Sequence, residues 1–359
     1  STLSSSSAAS DVYKRQLLAA SAWLPAAWIA HTAGITARLP YAQVAVVPGI
    51  ASAALVSIVS AAVGVILTGA YRTVPLVRGA SASVIAVMLA LGGAHVALNG
   101  PLASVTSPDG WSIAACDVGQ GDALLVRSDS RIALIDTGPE PEPLAACLRS
   151  LGIEHIDLLV LTHFDLDHVG GVDAVQGRVG AVLHGPPGES GDERMLQRLA
   201  DGGAAVTLAT AGTQGELGTA SWQVLWPQRG SEVFPPGNDQ SVVLEVEGGG
   251  VPRALFLGDL SAEAQRMLVR TAHLRGSYAV VKVAHHGSAD QDFALYQDLR
   301  PVDALFSAGI DNDYGHPRAE SLASLEAAGA RVLRTDQEGR LLVGLDGDEL
   351  QLWTERQPP

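Results

Sequence analysis

Four side chains of metal-binding type stand within six residues of Thr162-His163-Phe164-Asp165-Leu166-Asp167-His168-Val169-Gly170-Gly171. Imidazole suits borderline cations and carboxylate suits harder ones. Such a run can surround two metal ions while ordering very little loop. A solvated acidic turn capping a helix would need one Asp; it would need neither the histidines nor the double glycine. Further candidates lie downstream: Asp259 after the apolar Phe256-Leu257, the His285-His286 pair, and His316 in Tyr314-Gly315-His316-Pro317. Two metals would lower the pKa of a bound water to about 7 and steady both the attacking and leaving oxygens of a phosphodiester. That chemistry needs no protein nucleophile. The chain has no Gly-x-Ser-x-Gly run, no Gly-x-x-x-x-Gly-Lys-Ser/Thr loop and no cysteine zinc spacing.

These residues need a rigid support. The apolar run Ile156–Thr162 reads as a buried strand, which places the ligand run at its C-terminal end, where α/β sheets usually carry their sites. Ser112–Asp117 and Ala123–Ser128 read as paired strands around the turn Gly119–Gly121, and Arg131–Asp136 as a third. Later strands are expected at Ala181–His184, Trp222–Trp226, Ser241–Val246, Arg253–Leu257, Ala279–Val283 and Ala304–Ser307. Helices fit Leu144–Leu151, Glu193–Asp201, Ala262–Arg270, Phe293–Leu299 and Ala319–Ala328. Two sheets packed face to face and flanked by helices would accommodate them.

The net charge of −15 over 359 residues excludes a broad basic nucleic-acid patch. It does not exclude a nuclease, because bound cations neutralise carboxylates locally. The two cysteines, Cys116 and Cys147, form no framework and read as buried thiols, or as one bridge if the domain faces an oxidising compartment.

Only 17% of residues are charged, below the roughly 25% usual for soluble domains, and the deficit is local. Residues 1–16 lack an initiator Met and read as a truncated start or a cloning scar. Residues 17–99 contain three apolar runs, Leu17–Leu39, Val44–Leu67 and Ala80–Leu98, each suited to a transmembrane helix. A positive-inside bias puts the Arg72/Arg78 loop in the cytoplasm and everything after Asn99 outside it. Residues 100–110 read as a linker and 111–355 as the soluble domain.

The run from His163 to His168 resembles the His-x-His/Asp-x-Asp-His signature of the metallo-β-lactamase superfamily, with Asp165 in place of the second His. The resemblance extends through Asp117-Val118-Gly119-Gln120-Gly121-Asp122-Ala123, Asp136-Thr137-Gly138, Asn238-Asp239-Gln240-Ser241, Gly258-Asp259-Leu260 and His285-His286-Gly287-Ser288 to Tyr314-Gly315-His316-Pro317. Together these look like the C-terminal domain of ComEC-type competence proteins, the membrane channels for DNA uptake. The resemblance implies an α+β fold, the αββα sandwich, preceded by an all-α transmembrane segment. It implies two divalent ions, Zn²⁺ or Mn²⁺. His163 and Asp165 would serve one ion, Asp167 and His168 the other, and Asp259 would bridge. A late histidine would complete the second ion; His285 is preferred and His286 is the alternative, since a His-His pair carries no phase of its own. The family's third-motif histidine is missing, so Asn238 or Asp239 would ligate weakly or hold a water, which tilts preference from Zn²⁺ towards Mn²⁺. Asp136 would orient the ligand loop. Asp117, Gln120 and Asp122 would line the mouth or cap the turn. Asn238, Asp239, Ser288 and Tyr314 are candidates for touching substrate, with Lys282 beside Ser288. Asp167 and His316 are the candidates for catalysis, His316 as donor to the leaving oxygen.

The expected function is that of a membrane-tethered, metal-dependent hydrolase acting as a phosphodiesterase or nuclease on DNA during uptake. The lipid bilayer and other competence proteins would be its partners, and the hydrolase domain would lie outside the cytoplasm. Two alternatives stand beside it. One is a hydrolase of another phosphodiester, such as phosphorylcholine, or of a lactone or thioester. The other is a channel component that binds DNA without cleaving it.

Overall fold

The structure is a computed structural model that describes residues 23, 26–32, 34, 50–68, 75–98 and 108–357 other than 275, 311 and 348. The chain divides into two units, Ser1–Ala97 and Leu98–Pro359.

Alternation along the strands builds the second unit. In β1 (Trp111–Ala115), Ile113 and Ala115 enter one core while Ala114 and the following Cys116 enter another. In β4 (Ile156–Leu161), Leu158 and Val160 face the first core, and Ile156, Leu159 and Leu161 the second. A period of two puts successive side chains on opposite faces, so a strand apolar on both must be covered on both. The first sheet runs in the order β15 (Glu349–Thr354), β14 (Leu341–Asp346), β1, β2 (Leu124–Ser128), β3 (Arg131–Ile135), β4, β5 (Val179–His184) and β6 (Ala205–Leu208). The second runs β13 (Arg331–Arg334), β12 (Asp303–Phe306), β11 (Val280–Lys282), β10 (Val251–Phe256), β9 (Val243–Gly248), β8 (Ala220–Trp226) and β7 (Gln214–Leu217). Ile113, Val160, Leu244, Phe256 and Val280 fill the space between the sheets. Outside the first sheet lie α3 (Pro141–Ser150) and α5 (Ser190–Asp201), through Leu144, Leu148, Leu196 and Leu199. Outside the second lie α6 (Ala262–Thr271), α7 (Phe293–Leu299) and α8 (Ala319–Ala327), through Leu268, Leu295, Tyr296 and Leu325. The layers are therefore αββα.

Strands β3 to β6 are parallel, and so are β10 to β13. Their C-terminal ends carry the ligand-type residues: Asp136 follows β3, His163 follows β4, Asp259 follows β10, and His285-His286 follow β11.

Cys116 and Cys147 are joined in a disulfide, S–S 2.00 Å, with Cα atoms 5.8 Å apart. This corrects the reading of two buried thiols. The bridge ties the end of β1 to α3, a pairing that neither cysteine's local sequence signals.

In the first unit, α1 (Ile50–Thr68) has no charged residue, and α2 (Pro75–Leu98) has Arg78 alone. Both expose large apolar side chains, among them Ile58, Leu67, Leu76 and Leu89. Among the described residues no helix is long and apolar enough to cross a membrane. Most of the expected first run, 17–39, lies outside the described residues, as do residues 44–49 of the second.

Candidate metal centre

The ligand loop is held by close backbone packing. The short helix α4 (Leu166–Val169) lies against the turn after Asp136, where Thr137 N and Oγ1 both donate to His168 O, at 2.7 and 2.9 Å. A Cβ on Gly170 would stand 2.0 Å from Pro139 O, and one on Gly171 2.1 Å from Thr137 O. Both positions must therefore be glycine, which accounts for the pair that ends the signature.

Asp136 organises the histidines. It follows β3 with φ 59°, a left-handed conformation that Asp tolerates better than most residues. Its buried carboxylate accepts from Thr162 N (2.7 Å), Thr162 Oγ1 (2.7 Å) and His168 Nδ1 (2.8 Å). A carboxylate only accepts, so His168 carries its proton on Nδ1 and presents Nε2 to the site. Thr162 Oγ1 already donates to Asp136, so it accepts from His163 Nδ1 at 3.1 Å. His163 thus also presents Nε2. Both Nε2 atoms are buried without a hydrogen-bond partner. His286 is fixed in the same sense by Ser307 O, 2.9 Å from Nδ1, with Asp122 Oδ1 at 3.2 Å.

Ligand-type atoms of Asp167, His168, Asp259 and His286 all lie within 4.8 Å of one another. Asp259 Oδ2 is 3.3 Å from His168 Nε2 and 3.2 Å from His286 Nε2, and Asp167 Oδ2 is 3.2 Å from His286 Nε2. His163 and Asp165 sit beside this cluster: the His163 and His168 rings are 4.1 Å apart, and Asp165 Oδ2 is 3.6 Å from His163 Nε2. The donor set fits a cation, because unpartnered buried imidazole nitrogens converge on carboxylate oxygens that lack enough N–H donors to satisfy them.

The histidine pair resolves by local backbone geometry. His285 and His286 both have positive φ, 50° and 52°. This turn aims His286 inward at 1% exposure and leaves His285 33% exposed, with Nε2 3.9 Å from Asp259 Oδ2. The four-residue cluster contains His286 and not the preferred His285. Non-glycine residues in this region cost of order 1–3 kcal/mol each and persist where the surroundings over-determine them.

Lys282 is fully buried, neither solvated nor free to meet a phosphate. Its ammonium pairs with Asp122, stands 3.5 Å from Asp259 Oδ1 and donates to Gly258 O at 3.2 Å. Asp122 is likewise buried beneath the centre and not at its mouth. Burial works against its charge, but Lys282 and His286 outweigh this and hold its pKa down at about 2. Burial also opposes the cationic forms of His168 and His286. Asp259 and Asp136 nevertheless raise His168 well above 6.5, and Asp259 and Asp122 do the same for His286. Asp259 is depressed against its burial by His286, His168 and Lys282.

The remaining candidates divide. Asp239 serves the fold: its Oδ1 accepts from Ser261 N (3.1 Å) and its carbonyl from Trp226 Nε1 (2.8 Å). Where the third-motif histidine would be sought, the buried Ser241 hydroxyl lies 3.2 Å from His163 Nδ1 and accepts from Asp259 N at 3.1 Å. Asn238 opens the 3₁₀ turn Asn238–Gln240 and is half-buried. Ser288 is buried, its hydroxyl accepting from Gln291 Nε2 at 3.4 Å. Asp117 pairs with Arg356 at 2.8 Å, and Gln120 Oε1 accepts from Gly309 N at 3.3 Å. His316 flanks the cluster, its ring 5.6 Å from that of His285 and 6.4 Å from that of His286. Burial, then His285, His286 and Arg318, push its pKa down to about 4, so it is neutral at pH 7. The roles of Thr162, Ser241 and Lys282 carry no local signal, because they work through hydrogen bonds to residues far away in the chain.

This fold and site define a metal-dependent hydrolase, and the chain belongs to the metallo-beta-lactamase superfamily, whose profile matches residues 116–306. It also matches ComEC-type competence proteins. It is 31% identical over 251 residues to ComE operon protein 3 of Bacillus subtilis, covering 63% of this chain and 32% of that protein. It is 30% identical over 240 residues to competence protein ComA of Neisseria gonorrhoeae, covering 65% and 32%. The chain thus spans about a third of the length of these relatives. Among solved structures, the diiron β-hydroxylase CmlA of Streptomyces venezuelae aligns over 67% of this chain and 55% of its own, with 18% identity and a TM-score of 0.47.

Proposed function

We propose that the second unit is a phosphodiesterase that cleaves DNA during competence DNA uptake. One observation carries the chemistry: the convergence of Asp167, His168, Asp259 and His286 within 4.8 Å. These four would hold one divalent ion, Zn²⁺ or Mn²⁺. His163 and Asp165, with Asp259 shared, would hold a second, weaker one. A cation held there supplies Lewis acidity, which acidifies water and neutralises phosphate charge.

The chain's own residues do the rest. Asp136, through Thr162, and Asp122 aim the three histidines. Lys282 steadies the Asp259 and Asp122 carboxylates. His316, neutral and beside the cluster, offers an N–H to the leaving oxygen, and anionic substrate nearby favours its protonation. DNA as the substrate is supported by the matches to proteins named for competence. Attachment to a bilayer is supported by the apolar surfaces of α1 and α2. Placement outside the cytoplasm is supported by the Cys116–Cys147 bridge, since such bonds persist in oxidising compartments.

The test is cleavage of DNA by the purified chain with Mn²⁺ or Zn²⁺. The wild type should cut, and Asp167→Ala and Asp259→Ala should each lose activity at least about 100-fold. A wild-type chain that binds metal but leaves DNA intact would end this reading; turnover of a small phosphodiester or a lactone would redirect it.

A further inference from the structure

We infer that the loop 312–318 is a nucleotide subsite that selects an unpaired DNA strand, with Tyr314 stacking on a base and Arg318 holding a phosphate. This inference rests on the phosphodiesterase reading and names the form of DNA that the site accepts.

Three rings lead outward from the cluster. His286 and His316 are nearly parallel, with centroids 6.4 Å apart and planes at 27°. His316 and Tyr314 continue the series at 5.8 Å and 28°. Tyr314 is the outermost and is 62% exposed. An exposed aromatic face at the end of such a series is a ready platform for one more flat ring.

The loop that presents it is braced. Asn312 Nδ2 donates to Gly309 O (2.8 Å) and His316 O (2.7 Å), and Asn312 Oδ1 accepts from His316 N (2.9 Å). Arg318 N donates to Gly287 O at 2.8 Å, tying the loop's end to the turn that carries His286. Asn312 is thus an internal strut and not a substrate contact.

Arg318 supplies the charge. Among the described residues its exposed side chain has no ion-pair or hydrogen-bond partner, in a chain where 38 acidic residues outnumber 23 basic ones. Its guanidinium lies over Gly315, with Nη1 3.3 Å from where a Cβ would stand. It is close enough to His316 to help depress that imidazole. A cation and an aromatic face on one short rigid loop match the two halves of a nucleotide: base on ring, phosphate on guanidinium.

The form of nucleic acid follows. A base inside a duplex is stacked on both sides and offers no face, whereas an unpaired base offers one. A chain of net charge −15 cannot follow a long phosphate backbone by electrostatics. It must rely on a few local contacts beside the reacting centre.

The experiment is equilibrium binding to the full chain, with Ca²⁺ to suppress turnover. The probe is a short single strand carrying one 2-aminopurine, whose fluorescence falls on stacking. The wild type should quench the probe saturably, and an unlabelled duplex of the same sequence should compete at least about tenfold more weakly. Tyr314→Ala should abolish the quench and weaken binding about tenfold, and Tyr314→Trp should restore both. Arg318→Ala should weaken binding and flatten its salt dependence while leaving the quench at saturation. An unchanged quench in Tyr314→Ala, equal competition by duplex, or no binding by the wild type would each overturn the inference. Because binding is read without cleavage, failure of DNA cleavage with intact Tyr314-dependent stacking would count against the phosphodiesterase reading alone.

Discussion

Replacing Asp136 with Asn exchanges an acceptor-only group for one that must also donate, at the point where three N–H or O–H donors meet. The amide oxygen must face Thr162 N, which cannot turn round. The amide NH₂ then faces Thr162 Oγ1 and His168 Nδ1. His168 can satisfy it only by moving its proton to Nε2, the nitrogen that would meet a metal. Thr162 Oγ1, now an acceptor, turns its own proton towards His163 Nδ1, and the same reversal follows there. One substitution thus mutes two imidazoles. A hydrogen bond to a charged group is worth about 1.5–3 kcal/mol, and loss of such an outer partner weakens metal affinity about 10- to 100-fold. With both histidines affected, the expected loss is at the upper end, about 100-fold, equivalent to about 2.7 kcal/mol. Asn tolerates the left-handed backbone, so the fold should survive. The assay is competition for Zn²⁺ or Mn²⁺ against a chromophoric chelator at neutral pH, with a thermal melt as the folding check. Thr162→Val should weaken only the second, weaker equivalent, since it cuts the relay to His163 and spares His168. Metal affinity in Asp136→Asn within about twofold of wild type would refute the whole hydrogen-bond argument.

Other outcomes follow from the same structure. Reducing Cys116–Cys147, or replacing both with Ser, should destabilise the second unit by about 3–4 kcal/mol, the chain-entropy value for its separation of 31 residues, read by denaturant unfolding with and without reductant. Gly171→Ala should cost about 3 kcal/mol in the same measurement, because its Cβ meets Thr137 O; an unchanged midpoint would show that the ligand loop is looser than described. In the metal-free chain the raised pKa values of His168 and His286 stabilise fully below about pH 6.5, and that contribution is lost as pH rises through their folded values. Asp122 contributes above about pH 4 and loses its share as pH falls towards about 2. Melts in chelator should therefore peak in the weakly acidic range, whereas stabilisation by added metal should grow with pH as the cation displaces those protons.

What the sequence reveals tracks how local the determinant is. The strand that carries the ligands, Ile156–Leu161, is recognisable because apolar residues on both faces announce burial, and His163 to His168 because all four candidates share one loop. The edge strands Ala205–Leu208 and Gln214–Leu217 are short and largely exposed, so they carry little of that signal. Leu341–Asp346 is not among the expected strands, and nothing in it points to pairing with Trp111–Ala115, far back in the chain. The inward turn of His286 depends on two left-handed residues that no residue-type rule predicts. Lys282 and Asp122 invert the usual expectation for charged residues, because each makes the other's burial tolerable.

The disulfide has a further consequence through chain connectivity. The covalent ring from Cys116 to Cys147 encloses both Asp122 and Asp136, the carboxylates that brace His286 and His168. Closing that ring narrows the excursions of the very segment on which imidazole aim depends. Oxidation and imidazole aim are thereby linked: opening the ring by reduction would loosen the segment that carries Asp122 and Asp136.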